Sequence, residues 1–133
     1  MTGSPASVHD PLPWIPRLLE LIVAAHQKTF PLFGACFGHQ AIALALGGRV
    51  TRSPGGWSFG LKEMIALDPR AALGLPARLE QHAAHIEEVR VLPKAVRALF
   101  EKMAVASAVL HLAITFSRRR TIPKSPQRSW RIW

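Results

Sequence analysis

A chain of 133 residues is long enough for one domain with a modest core. Its 49% hydrophobic content excludes a wholly disordered chain, and no apolar run is long enough for a membrane-spanning helix. The formal charge of +9 is unevenly spread: residues 1–101 carry ten Lys/Arg against eight Asp/Glu, whereas residues 102–133 carry seven Lys/Arg and no acid. The charge therefore divides the chain into a nearly balanced segment, 1–101, and a basic tail, 102–133.

The opening residues lack a basic segment followed by an apolar one, so they do not read as a signal peptide. PWIPRLLELIVAAHQK places Ile15, Leu18, Leu19, Ile22 and Val23 at helical spacing, and Asp10-Pro11 is the expected entry to that helix. TFPLFGA reads as a short buried strand whose first half is weakened by Pro31. HQAIALAL reads as a helix stopped by Gly47-Gly48. Helix, buried strand, tight turn and helix form an α/β pattern, with a parallel sheet expected. RSPGG, Arg52 to Gly56, is a turn, and WSFGLKEMIAL is a strand. DPRAALGLP reads as loop with one helical turn, and ARLEQHAAHIEEVRVLP fits either strand or helix, a strand running to His85 with a short turn after it being favoured. The tail SRRRTIPKSPQRSWRIW has no period.

The chemistry concentrates on the single cysteine, which cannot form an internal disulfide and fits a reducing, cytoplasmic setting. Gly34-Ala35-Cys36-Phe37-Gly38 has the form of a nucleophile elbow, G-x-[nucleophile]-x-G, between a strand and a helix. Small neighbours are needed because strand and helix pass closely there. The positive end of the helix favours thiolate over thiol at Cys36. The Phe37 N–H would face an oxyanion formed when sulfur attacks a carbonyl. The same five residues also describe a cysteine buried by chance between glycines. No zinc-ligand spacing, phosphate loop or dinucleotide fingerprint occurs, so neither metal nor cofactor is expected.

The longer string PLFGACFGHQAIALALGG resembles the active-site segment of class I glutamine amidotransferases, G-[IV]-C-[FLY]-G-H-Q, and is nearest to the GMP-synthase-like members. TGSPASV, Thr2 to Val8, resembles that family's S-G-G-P-x-S-V loop, and AAHIEEVRVLP, Ala83 to Pro93, its S-H-G-D-E-V-x-x-L-P segment. The resemblance implies an open sheet with flanking helices. It implies a domain that hydrolyses the side-chain amide of glutamine and passes ammonia to a synthetase domain or subunit. It makes Cys36 the nucleophile that forms a glutamyl thioester, and gives Phe37, Gly3 and Ser4 the oxyanion-binding backbone. The family has glycine where Ser4 stands. Gln40 and His85 are implied at the substrate, while His39 is assigned to packing.

The resemblance has two gaps. The family places sheet strands ahead of the TGSPASV loop, which here begins at residue 2, so the fold is expected to be incomplete at its start. The family also activates its cysteine through an H-P-E motif, which this chain lacks; its one H-x-E, His85-Ile86-Glu87, already matches another segment. The codons of TIPKSP, Thr121 to Pro126, read one base earlier permit Y-H-P-E-[IV]-T. The same shift lets HLAITF, His111 to Phe116, read as L-G-D-H-V-F. A frame change near Glu101 is therefore expected to have replaced the family's C-terminal sequence, leaving 1–101 as a partial amidotransferase domain of impaired activity. The competing reading is a non-catalytic binding module whose Arg/Lys and Trp tail takes nucleic acid or another acidic partner. A shifted tail, never selected for binding, argues against nucleic acid. An α/β hydrolase using the same elbow is disfavoured by the G-H-Q after Cys36.

Overall fold

The structure is a computed structural model that describes residues 1–66 and 76–94, and the backbone of 96–102 and 110–115. Helix α1 spans Trp14–Gln27, β1 Leu32–Ala35, α2 Phe37–Ala45, β2 Arg49–Arg52, β3 Ser58–Ala66, β4 Arg78–His85, β5 Glu87–Val91, β6 Val96–Lys102 and β7 Leu110–Thr115. Five strands form one sheet in the order β1-β7-β6-β3-β4, and β2 pairs with β5 in a second.

Helix α1 is amphipathic as its spacing predicts. Ile15 and Ile22 are buried, Leu18 and Leu19 pack beside them, and Leu21 faces solvent. Its entry differs from expectation. The N-cap is Pro13, with no side-chain cap, and Asp10 Oδ2 accepts the Ser7 N–H at 2.8 Å, closing the preceding loop instead. Helix α2 begins at Phe37, ahead of the predicted HQAIALAL, and all of Phe37–Ala43 is buried. A helix buried all round belongs to the interior, and here α2 joins Val8, Ile15, Ile22, Val50 and Val89 in one core.

Both helices end in the same hydrogen-bonded motif. After α2, Gly48 N–H donates to Ala43 O at 2.7 Å and Gly47 N–H to Leu44 O at 3.2 Å, with Gly47 at φ +88°. After α1, Phe30 N–H donates to Ala25 O and Thr29 N–H to His26 O, both at 3.0 Å. There the left-handed position is held by a threonine at φ 60°, a strained choice for a β-branched residue.

The α/β architecture stands, but the expected parallel sheet does not. Every described ladder is antiparallel: β1 with β7, β2 with β5, β3 with β4 and β6, and β6 with β7. The expectation rested on one strand–helix unit. After α2 the chain enters β2, which pairs with β5 rather than returning beside β1, so no described crossover completes a parallel pair. One parallel-type contact is present: Met1 N–H donates to Phe33 O at 2.6 Å, and Ala35 N–H donates to Met1 O at 3.0 Å.

The RSPGG turn is present, with Gly56 N–H donating to Ser53 O at 3.0 Å. Strand β4 ends at His85 as predicted, after pairing in register from Ser58↔His85 to Ile65↔Arg78, and β5 follows after Ile86. The predicted loop DPRAALGLP lies outside the described residues except for Pro76. Of the basic tail, β7 is described and pairs on both sides, with β1 and β6; residues 116–133 lie outside the described residues.

Candidate active site

Cys36 links β1 to α2 at φ 52°, ψ −117°, a conformation an L-residue rarely adopts. The strand arrives directly beneath the helix it feeds. A Cβ on Gly34 would lie 2.5 Å from the Gly38 carbonyl carbon and oxygen, and 2.7 Å from the His39 nitrogen. Nothing larger than glycine fits between them, so the elbow pattern has a steric cause. As the first helical residue, Phe37 has no intrahelical acceptor for its N–H. Its ring packs on Trp14, with centroids 5.5 Å apart at 49°, so the side chain belongs to the core and only the backbone serves the cleft.

The start of the chain brings the second loop to the sulfur. Beyond the Met1 contact with β1, Thr2 O accepts the Gly38 N–H at 3.1 Å. This delivers Gly3 against Cys36: a methyl group built on Gly3 would sit 3.8 Å from the cysteine Cβ and 3.9 Å from Sγ. Ser4 Oγ accepts the Ala6 N–H at 3.1 Å and folds the loop back.

The six residues singled out in the sequence, Gly3, Ser4, Cys36, Phe37, Gln40 and His85, all line one cleft of about 600 Å³. They come from the N-terminal loop, the elbow, α2 and the end of β4. The Glu87 carbonyl organises one wall, accepting from Gln40 Nε2 and from His85 Nδ1, each at 2.9 Å. A carbonyl only accepts, so His85 carries a proton on Nδ1. His85 is the one histidine among the described residues lining this cleft.

His39 stands behind the site, in the first turn of α2. It is 1% exposed, and neither ring nitrogen has a hydrogen-bond partner among the described residues. Burial lowers its pKa from 6.5 to about 4, so it is neutral at pH 7. Its assignment to packing agrees with this.

Sequence reasoning missed several residues of the cleft. Ser7 Oγ donates to the Glu87 carboxylate, 2.8 and 2.7 Å from its two oxygens, across 80 positions of sequence. Arg52, Trp57 and Phe59 also line the cleft. The aromatic pair left a signal, since positions two apart on a strand share a face. Arg52 left none, because its place depends on the β2–β5 pairing. Among the described residues no group of three or more His, Cys, Asp or Glu is placed to hold a metal ion. Among the described residues no helix is long and apolar enough to cross a membrane.

Comparison with known proteins agrees with this geometry. A family model for glutamine amidotransferase class-I matches residues 1–112. GMP synthase [glutamine-hydrolyzing] of Aeropyrum pernix is 38% identical over 90 residues, 67% of this chain and 16% of that protein. Gamma-glutamyl peptidase 3 of Arabidopsis thaliana is 31% identical over 106 residues, 74% of this chain and 43% of that protein. The chain thus spans less than half the length of these curated relatives. The crystal structure of a glutamine amidotransferase from Methylobacillus flagellatus superposes with a TM-score of 0.68 at 34% identity, covering 86% of this chain and 47% of that one. One from Thermotoga maritima superposes at 0.71 with 20% identity, a likeness of fold, covering 86% of this chain and 49% of that one.

Proposed function

The chain belongs to the class-I glutamine amidotransferases, and from that premise we propose that Cys36 opens the side-chain amide of glutamine through a thioester. The thiol adds to the amide carbon, ammonia leaves with the thiol proton, and water releases glutamate and restores the thiol. The oxyanion is received by the backbone N–H groups of Phe37 and of the Gly3-Ser4 loop. Gln40 and His85, joined through the Glu87 carbonyl, hold the substrate. The ammonia passes to a synthetase domain or subunit, as the likeness to GMP synthase supports, in the cytoplasm.

The observation that carries this reading is the convergence of the strained Cys36 elbow and the Gly3-Ser4 loop on one cleft. Residues 1–133 contain no H-P-E pair of the kind that activates the cysteine in the family, so turnover by these residues alone is slow. Loss of a triad base costs roughly 10⁴–10⁶-fold in rate.

The test is labelling with a glutamine analogue that carries a chloroketone in place of the amide. The reading requires one label, on Cys36, with glutamine protecting. Unlabelled Cys36, or labelling that glutamine does not slow, overturns it. Rapid glutamate release that Cys36→Ala abolishes would overturn the claim of slow turnover alone.

A further inference from the structure

Glu87 joins three walls of the cleft, and it does so with two different groups. Its carbonyl receives Gln40 Nε2 from α2 and His85 Nδ1 from the end of β4. Its carboxylate receives the hydroxyl of Ser7, just beyond the loop that carries Gly3 and Ser4. The β2–β5 register sets Glu87 opposite Arg52, where side chains of opposite charge ordinarily pair. Among the described residues no ion pair joins the two. The carboxylate is turned to Ser7.

Ser7 is fixed in direction. Its Oγ accepts the His9 N–H at 3.0 Å, and its own N–H donates to Asp10 Oδ2 at 2.8 Å. The single hydroxyl proton goes to Glu87. At the other end of the loop, Thr2 O accepts the Gly38 N–H from the first turn of α2. Only residues 3–6 lie between these two anchors. Val8 is buried beside Ser7, but apolar burial has no direction and does not set where the preceding N–H groups point. The N–H groups of Gly3 and Ser4 donate to no described residue. They are open to a ligand, and their aim at the sulfur depends on how the loop is held.

We infer that the Glu87 carboxylate is a positioning group for catalysis: through Ser7 it aims the Gly3-Ser4 donors at the oxyanion formed on Cys36. This rests on the thioester reading proposed above and adds to it the residue that sets one side of the oxyanion site. Glu87 thereby has two separable parts. The main-chain carbonyl shapes the wall that holds substrate, and the side chain governs the rate of attack.

The test is the rate at which the chloroketone analogue of glutamine labels Cys36 in the full chain. Addition of sulfur to the ketone carbon places a negative oxygen where the amide would place one. The limiting rate at saturation therefore reports the oxyanion donors, and the half-saturating concentration reports binding. Glu87→Ala should lower the limiting rate about tenfold, since a lost oxyanion donor costs roughly 10²–10³-fold and a loosened loop keeps part of that. The half-saturating concentration should not change, because Gln40 and His85 bond to a carbonyl that the substitution leaves in place. Ser7→Ala should give the same loss, and the double variant no greater one, as for two ends of a single contact. Glu87→Gln, whose amide oxygen still accepts the Ser7 hydroxyl, should recover most of the rate. If Glu87→Ala does not fold, Ser7→Ala alone decides, and labelling of that variant at the parental rate overturns the inference. So does a half-saturating concentration that rises in step with the lost rate, or two losses that multiply. In each of these cases glutamine-protected labelling of the parent at Cys36 leaves the thioester reading standing. A parent that is not labelled at Cys36 overturns both.

Discussion

The buried His39 should make the fold acid-sensitive in a defined window. Its folded pKa of about 4 lies below the 6.5 of an exposed imidazole because burial penalises the charged ring. Between these values the unfolded chain binds a proton that the folded one refuses, so stability falls as pH falls. The contribution is complete above 6.5 and lost progressively down to 4. At about 1.4 kcal/mol per pH unit the full loss is about 3 kcal/mol, most of it gone by pH 4.5. The ring is 1% exposed, so solvent does not screen this term. Urea unfolding at pH 7.5 and 4.5 measures it when the parent is compared with His39→Leu, which cannot titrate. The carboxylates titrate equally in both proteins, so the difference isolates the imidazole. Stability of the parent should fall between the two pH values by roughly 2–3 kcal/mol more than that of the variant. Equal pH dependence in the two proteins, or a His39 ring that titrates near 6.5 in NMR spectra of the folded chain, would refute the reasoning.

Four further outcomes follow from the same geometry. Gly34→Ala drives a methyl group into the α2 backbone at 2.5 Å, and should cost about 3 kcal/mol or prevent folding, as read by thermal unfolding. Cys36→Gly relieves the left-handed strain and should raise stability by about 1 kcal/mol in urea titration while removing the nucleophile. Thr29→Gly places the residue ordinarily found at a helix end in αL and should add roughly 0.5–1 kcal/mol, seen as a higher melting temperature. Sequencing the DNA for residues 95–133 and its downstream flank should show Y-H-P-E one base earlier at Thr121–Lys124; an alternative frame without that motif would make the basic tail a genuine sequence.

Much of the candidate site was legible because its constraints are local. Gly34 is demanded by the close passage of β1 beneath α2, a steric demand that acts over a few residues, whereas a Cβ on Gly38 would meet Met1. Helix α1 declared itself through an apolar spacing long enough to be unambiguous, and the end of α2 through Gly47. Gly3, Ser4, Gln40 and His85 came through segments resembling the family's, and the fold places all four at the cleft.

Features set by distant partners stayed hidden. A single strand–helix unit does not reveal which strand will lie beside it, and among the described residues each strand found an antiparallel neighbour instead of one reached through a strand–helix–strand crossover. Thr29 gave no sign of a helix end, since backbone hydrogen bonds to the last turn of α1 set it where glycine is usual. The bond from Ser7 to Glu87 and the cross-strand meeting of Arg52 with Glu87 join distant parts of the chain. The sequence by itself determined the elbow, through backbone sterics confined to one turn. Tertiary structure alone decided what surrounds it, because strand register, burial and charge pairing depend on residues that meet only when the whole chain has packed.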